Sequence, residues 1–119
     1  MAWDVEYTDE FEVWWSELGE PQQDRIAASV ELLAERGPSL PFPHSSGIKE
    51  SRHPHLRELR VQSGGSPLRV LYAFDPRRSA ILLIGGDKTG NDRFYQQLIP
   101  MADDLYDAHI KELMAEGLL

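Results

Sequence analysis

Six side chains in the middle and latter part of the chain carry groups that could hold a phosphate and a base or pair with one another: Arg57, Glu58, Arg60, Arg69, Lys88 and Tyr95. A guanidinium presents a planar fork of donors that matches phosphate oxygens, a carboxylate can take up a proton, and a tyrosine ring can stack on a base. The arginines fall inside apolar, alternating stretches, so they are strand residues and not turn solvation. Arg57 shares strand parity with Leu59 and Val61, Arg60 shares it with Glu58, and Arg69 stands between Leu68 and Val70. A turn joining the two strands brings Arg57 or Arg60 near Arg69. Two or three guanidinium groups on one sheet face, with Lys88 at a strand end and Phe94 and Tyr95 close by, would form a pocket for phosphate and a stacked base. The same arginines could instead pair with Glu58, Asp75 and the acidic helices, as surface charges commonly do.

Other chemistries find less support. The chain has no cysteine, which excludes a thiol nucleophile, disulfides and thiolate-held zinc. There is no Gly-x-Ser-x-Gly elbow, and the stretch Gly85 to Gly90 (GGDKTG) lacks the spacing and the Gly-Lys-Ser/Thr ending of a phosphate loop. It leaves a housekeeping nucleotide binder as a separate reading, testable by nucleotide titration. His44, His53 and His55 sit in a Pro-rich stretch with no acidic ligand at a diagnostic spacing, so no metal is expected.

The elements that must position these groups are legible. Trp3, Val5 and Tyr7 alternate with acids, as in a short half-buried strand. Thr8 or Asp9 can cap a helix carrying Phe11, Trp14, Trp15 and Leu18. A second helix from about Pro21 to Arg36 is marked by Ile26, Val30 and Leu33 and stopped by Gly37-Pro38, and the short connection predicts an antiparallel helix pair. Residues 38–47 contain three prolines and are expected to form an extended connector. Strands are then predicted at 56–61, 68–74 and 80–84, joined by turns at 62–67 and 75–78, with Gly85-Gly86 ending the last; together they make an antiparallel meander. Asn91 or Asp92 can cap a C-terminal helix, which Pro100 is expected to break. The expectation is one α+β domain over residues 1–119, with an N-terminal strand, a two-helix hairpin, a three-stranded antiparallel meander and a C-terminal helix, its helices on one sheet face.

Composition bounds the rest. At 41% hydrophobic and 27% charged, 119 residues can bury a core, and no apolar run approaches a membrane span, so a cytoplasmic protein is expected. Taken as a total, the net charge of −8 argues against nucleic acid, but it is segregated. Residues 1–48 carry ten acids and two bases, residues 49–93 nine bases and five acids, and residues 94–119 five acids and one base. A basic centre is thus set between acidic flanks, which points to a basic functional surface built from the middle of the chain.

The stretch Leu56 to Arg60 (LRELR), a Gly-containing turn, Leu68 to Phe74 (LRVLYAF) and then AILLIGGDKTGNDRFYQQLIPMAD resembles the RelE/HigB superfamily of bacterial toxins, most of all its phage-derived, Gp49-like branch. The motif region covers roughly residues 55–107, and with the preceding strand and helix pair the resemblance spans nearly the whole chain. It implies a RelE-like microbial RNase fold and a toxin of a type II toxin–antitoxin system that cleaves mRNA in the ribosomal A site. It also implies a cognate helix-turn-helix antitoxin of the HigA type and a reaction without metal or cofactor. By the same resemblance Arg69 would bind the phosphate and its transition state, with Arg57 and Arg60 adding positive charge. Lys88 would stabilise charge or hold substrate, and Tyr95 would stack on a base or assist proton transfer. Glu58 and His55 are the available general bases. The alternative is a catalytically inactive binding module that only holds an antitoxin or another protein.

Overall fold

A computed structural model describes residues 2–119. In chain order the elements are β1 (Val5–Tyr7), α1 (Asp9–Ser16), α2 (Glu20–Arg36), β2 (Ser45–Gly47), β3 (Arg57–Ser63), β4 (Ser66–Phe74), β5 (Ala80–Asp87) and α3 (Phe94–Ala115). Local chemistry accounts for their ends. The Thr8 hydroxyl accepts from the Phe11 amide at 3.0 Å and donates to the Leu83 carbonyl at 2.6 Å, so a single side chain both caps α1 and ties it to β5. Asp9, Glu10 and Glu12 then fill the first turn, where the helix dipole favours acids. Gly64 and Gly65, with φ of +57° and +82°, form the two-residue turn between β3 and β4, a backbone that a side chain would strain.

The predicted meander is present as β3, β4 and β5, but it is the centre of a five-stranded sheet in the order β1-β5-β4-β3-β2, with β1 parallel to β5. The connector was expected to lack regular structure, yet β2 forms within it, just after its last proline, and pairs Ser45 to Leu59 and Gly47 to Arg57. Its Ser-Ser-Gly sequence has little strand preference. Tertiary bonds hold it, because the buried Ser45 hydroxyl lies 2.6 Å from the Tyr72 hydroxyl and accepts from Arg57 Nε at 3.0 Å.

The helices do not share one face. Phe11 of α1 and Ile26 and Leu33 of α2 pack on Leu59, Val61, Val70, Tyr72 and Leu82. Ile99, Ala102 and Tyr106 of α3 cover Leu71, Ala73, Ile81 and Leu83 on the other side. The reason is in β5, whose continuous apolar run has to be buried on both faces. Pro100 does not break α3. A proline at this position frees the Gln96 carbonyl four residues earlier, and both residues are exposed, so water can satisfy it.

Gly85 and Gly86 lie inside β5 and do not end it. A Cβ on Gly85 would stand 2.2 Å from the Trp14 ring, and one on Gly86 would stand 2.8 Å from the Phe94 ring, so bare backbone is what lets α1 and α3 close on the strand from opposite sides. Gly85→Ala is therefore expected to destabilise the fold by about 1–3 kcal/mol through overpacking against a rigid indole, read as a lower urea midpoint at unchanged m-value. A midpoint equal to that of the parent protein would show that α1 can move away at no cost.

Candidate active site

The sheet face under the start of α3 gathers five of the six residues singled out above. Glu58 and Arg60 project from β3, and Arg69, the cross-strand partner of Arg60, projects from β4. Tyr95 comes from the first turn of α3, and Lys88 follows the end of β5. The Tyr95 hydroxyl donates to Glu58 Oε1 at 2.7 Å, and Lys88 Nζ lies 4.9 Å from the centre of the Tyr95 ring. Arg69 Nε approaches Glu58 Oε1 to 3.6 Å, and Arg60 Nη1 approaches Glu58 Oε2 to 3.7 Å. One carboxylate thus sits among a phenol and two guanidinium groups.

Arg69 is the unusual member. It is only 5% exposed, and its Nη1 donates to its neighbour's carbonyl, of Leu68, at 3.0 Å. Its Nε makes no hydrogen bond among the described residues, because 3.6 Å to Glu58 is an ion pair too long to be one. A buried donor left without a partner costs about 1–3 kcal/mol, a cost that a hydrogen bond to an anion would relieve. Burial raises the Tyr95 pKa, as does the hydrogen bond to Glu58, with Arg69 partly opposing, so the phenol is a neutral donor at neutral pH.

Access comes from two sides. A hollow of about 260 Å³ bounded by Gly47 to Glu50 and Ile99 opens on Glu58 and Tyr95. A second, of about 460 Å³, reaches Arg60 and Arg69 from the edge of the sheet. A third hollow of about 420 Å³ lies apart, between β1, the start of α1 and the latter half of α3; Glu6, Asp9, Glu10, Glu112 and Glu116 line it, and that charge is unsuited to a phosphate.

Arg57 is not brought to this cluster. Its parity with Leu59 turns it to the α1–α2 side, where it holds Ser45 and so helps to anchor β2. His55 is also elsewhere: its ring packs 5.2 Å from that of Tyr106, eleven residues and therefore about 16 Å along α3 from Tyr95. Burial lowers the His55 pKa, and the neighbouring His53 lowers it further. His53 bonds Asp107 at 2.8 Å. The stretch from Gly85 to Gly90 does not make a phosphate cradle, because its glycines begin in β5 and its next amides are occupied. Lys88 N donates to the Pro67 carbonyl at 2.9 Å and Thr89 N to Asp87 Oδ1 at 2.9 Å. The sequence reading assigned nothing to Phe42 or Arg25; Phe42 lies 5.1 Å from the Arg60 guanidinium, a contact with no signature in the chain's order.

The order of elements and the carboxylate–guanidinium–phenol cluster at the start of α3 place the molecule among small α+β proteins with the RelE fold. It superposes on a double arginine-to-alanine mutant of the Escherichia coli toxin RelE in the free state with a TM-score of 0.60, covering 82% of this chain and 96% of that one at 11% identity. With the RelE–RelB complex from the archaeon Pyrococcus horikoshii the TM-score is 0.55 over 76% of this chain and 99% of that one, at 16% identity. The chain belongs to the family of the phage-derived protein Gp49-like, whose profile matches residues 13–107. Among its relatives are two Mycobacterium tuberculosis proteins assigned as toxins. It is 33% identical to HigB2 over 114 residues, which is 94% of this chain and 56% of that protein, and 40% identical to HigB3 over 93 residues, 77% of this chain and 80% of that protein. The chain therefore spans just over half the length of the first relative. The RelE/HigB resemblance read from the motifs holds for both family and fold.

Proposed function

We propose that the chain is the toxin of a type II toxin–antitoxin pair and acts as an endoribonuclease on mRNA held in the ribosomal A site. The observation that carries this reading is the buried Arg69 with its unbonded Nε, set beside a carboxylate and a neutral phenol. In the proposed reaction Glu58 takes the proton of the 2′-hydroxyl, and the 2′-oxygen attacks the adjacent phosphorus in line. Arg69 and Arg60 stabilise the charge that develops on the phosphorane. The bond to the 5′-oxygen breaks as Tyr95 supplies a proton, leaving a 2′,3′-cyclic phosphate and a free 5′-hydroxyl. Lys88, over the Tyr95 ring, adds positive charge where substrate enters. The scheme gives no role to a metal or cofactor.

The proposed partner is a HigA-like helix-turn-helix antitoxin. The kinship with HigB2 and HigB3 supports that choice, as does the bound state in which the RelE of P. horikoshii was solved. No helix among the described residues is long and apolar enough to cross a membrane, in keeping with action on ribosomes in the cytoplasm.

Induction of the protein is expected to arrest growth and to produce cuts in translated mRNA, with relief when the antitoxin is co-expressed. Glu58→Gln keeps the shape of the side chain but cannot take a proton, so the cleavage rate should fall about 10²–10⁴-fold. Undiminished cleavage by that variant would remove Glu58 from the reaction. A second reading, that the chain only binds its partner, draws on the near-complete burial of Glu58 and Arg69. It predicts tight antitoxin binding with intact mRNA.

A further inference from the structure

The second of the two hollows is not used by the scheme above. It lies at the sheet edge: β2 pairs with Arg57 to Leu59, Arg60 N donates to the His44 carbonyl at 2.9 Å, and beyond that the side of β3 faces the middle of α2. Arg25 and Ser29 of α2 line one wall, His44 and Pro43 of the connector another, and Arg60 and Arg69 the floor. Three arginines and a histidine thus line about 460 Å³, with no acid among its described lining residues, while the Arg60 and Arg69 guanidinium groups also lie 3.7 and 3.6 Å from Glu58 at its edge. At the rim stands Phe42, 68% exposed, with the Arg60 guanidinium 5.1 Å from its ring. An exposed ring beside clustered arginines is the arrangement that single-stranded nucleic acid uses, with bases on the aromatic faces and phosphates on the cations.

We infer that this hollow is a second RNA subsite, which holds a nucleotide flanking the scissile bond by stacking its base on Phe42 and pairing its phosphate with Arg25 and Arg60. The inference rests on the reading of the adjoining cluster as a site for RNA and extends it. Arg60 and Arg69 belong to both, so the strand passes from the cleft at Glu58 and Tyr95 over the arginine pair to α2. Its occupant is a polynucleotide segment and not a lone anion, because the cations are spread over two elements and accompanied by an aromatic platform.

The test uses the whole protein and a short fluorescent 2′-O-methyl RNA, which binds but cannot be cleaved, titrated by anisotropy at low salt. Phe42→Ala is expected to weaken binding about fivefold or more. Arg25→Ala is expected to weaken it similarly and to reduce the slope of log Kd against log salt by about 0.7, the share of one phosphate contact on a single strand. Both residues are exposed, so the variants should fold as the parent does, and Lys111→Ala, a charge removed from the far end of α3, should bind as the wild type does. A trinucleotide should compete, and inorganic phosphate at the same concentration should not. Unchanged binding in both variants, no binding by the wild type at low salt, or equal competition by phosphate would each overturn the subsite. Failure of the catalytic reading looks different: mRNA stays intact on ribosomes while Phe42→Ala and Arg25→Ala still weaken RNA binding.

Discussion

Arg69→Gln is expected to silence the protein: growth arrest should disappear, and cleavage of ribosome-bound mRNA should fall by about 10²–10³-fold, the usual cost of removing one preorganised donor from a developing oxyanion. The argument is geometric. Arg69 is held against Glu58 by charge, is anchored through Nη1 on the Leu68 carbonyl, and keeps Nε free, so its position is set before any substrate arrives. Because the residue is buried, loss of activity through misfolding has to be separated from loss of chemistry. Arg69→Lys does this. It retains the charge that balances Glu58 but not the planar fork, and it should fold normally while recovering only part of the rate. Circular dichroism and the thermal midpoint report the fold, and primer extension on translated mRNA reports the cuts. Full cleavage by both variants would exclude Arg69 from the reaction.

The largest expected effect on stability lies at the opposite end of the sheet. The Asp75 carboxylate is wholly buried and accepts from Arg77 N at 2.8 Å, Arg77 Nη2 at 2.7 Å and His109 Nε2 at 2.9 Å. Arg77 also reaches Glu6 at 3.0 Å, so this carboxylate joins the β4–β5 turn to α3 and, through Arg77, to β1. Asp75→Ala is expected to cost about 3 kcal/mol, toward the low end for breaking a buried charged network because Arg77 is partly solvated. The pH dependence has a definite sign. Burial alone would raise the Asp75 pKa, but the hydrogen bonds from Arg77 and His109 outweigh it and leave the group below its ordinary 3.8. Its contribution is thus fully present above about pH 4 and is lost as the pH falls through the lower folded value. Urea midpoints of the parent and of Asp75→Asn should therefore differ at neutral pH and draw together as the pH falls below 3.8. A constant gap would mean that the carboxylate's charge does not matter.

Much of this architecture was legible in the chain, for physical reasons that can be named. Alternation marked β3 and β4, and parity alone put Glu58 and Arg60 on the face opposite Leu59 and Val61. The same parity assigned Arg57 to the other side, so its exclusion from the cluster was readable. What escaped reading depends on partners distant in sequence. Ser45–Gly47 is a strand only because β3 pairs with it, and Gly85 and Gly86 are strand residues because they pair with Val70 and Arg69 of β4, while Trp14 and Phe94 occupy the space side chains would take. The side on which α3 lies follows from the need to cover Leu71 and Leu83. Phe42 meets Arg60 across the fold and Arg25 lines the same hollow, and no local pattern announces either placement.

The pairing of β1 with β5 has a consequence for synthesis. Val5 leaves the ribosome early and cannot meet Ala80 until some seventy further residues have followed it. Tyr95 and the cover for the second sheet face come later still, on α3. Such long-range closure makes the last third of the chain the step that commits the whole. A nascent polypeptide interrupted before Phe94 would carry Glu58 and Arg69 on an uncovered sheet without the phenol opposite them. The cluster at the start of α3 is therefore completed only after both the sheet and the helix that covers it have been synthesised.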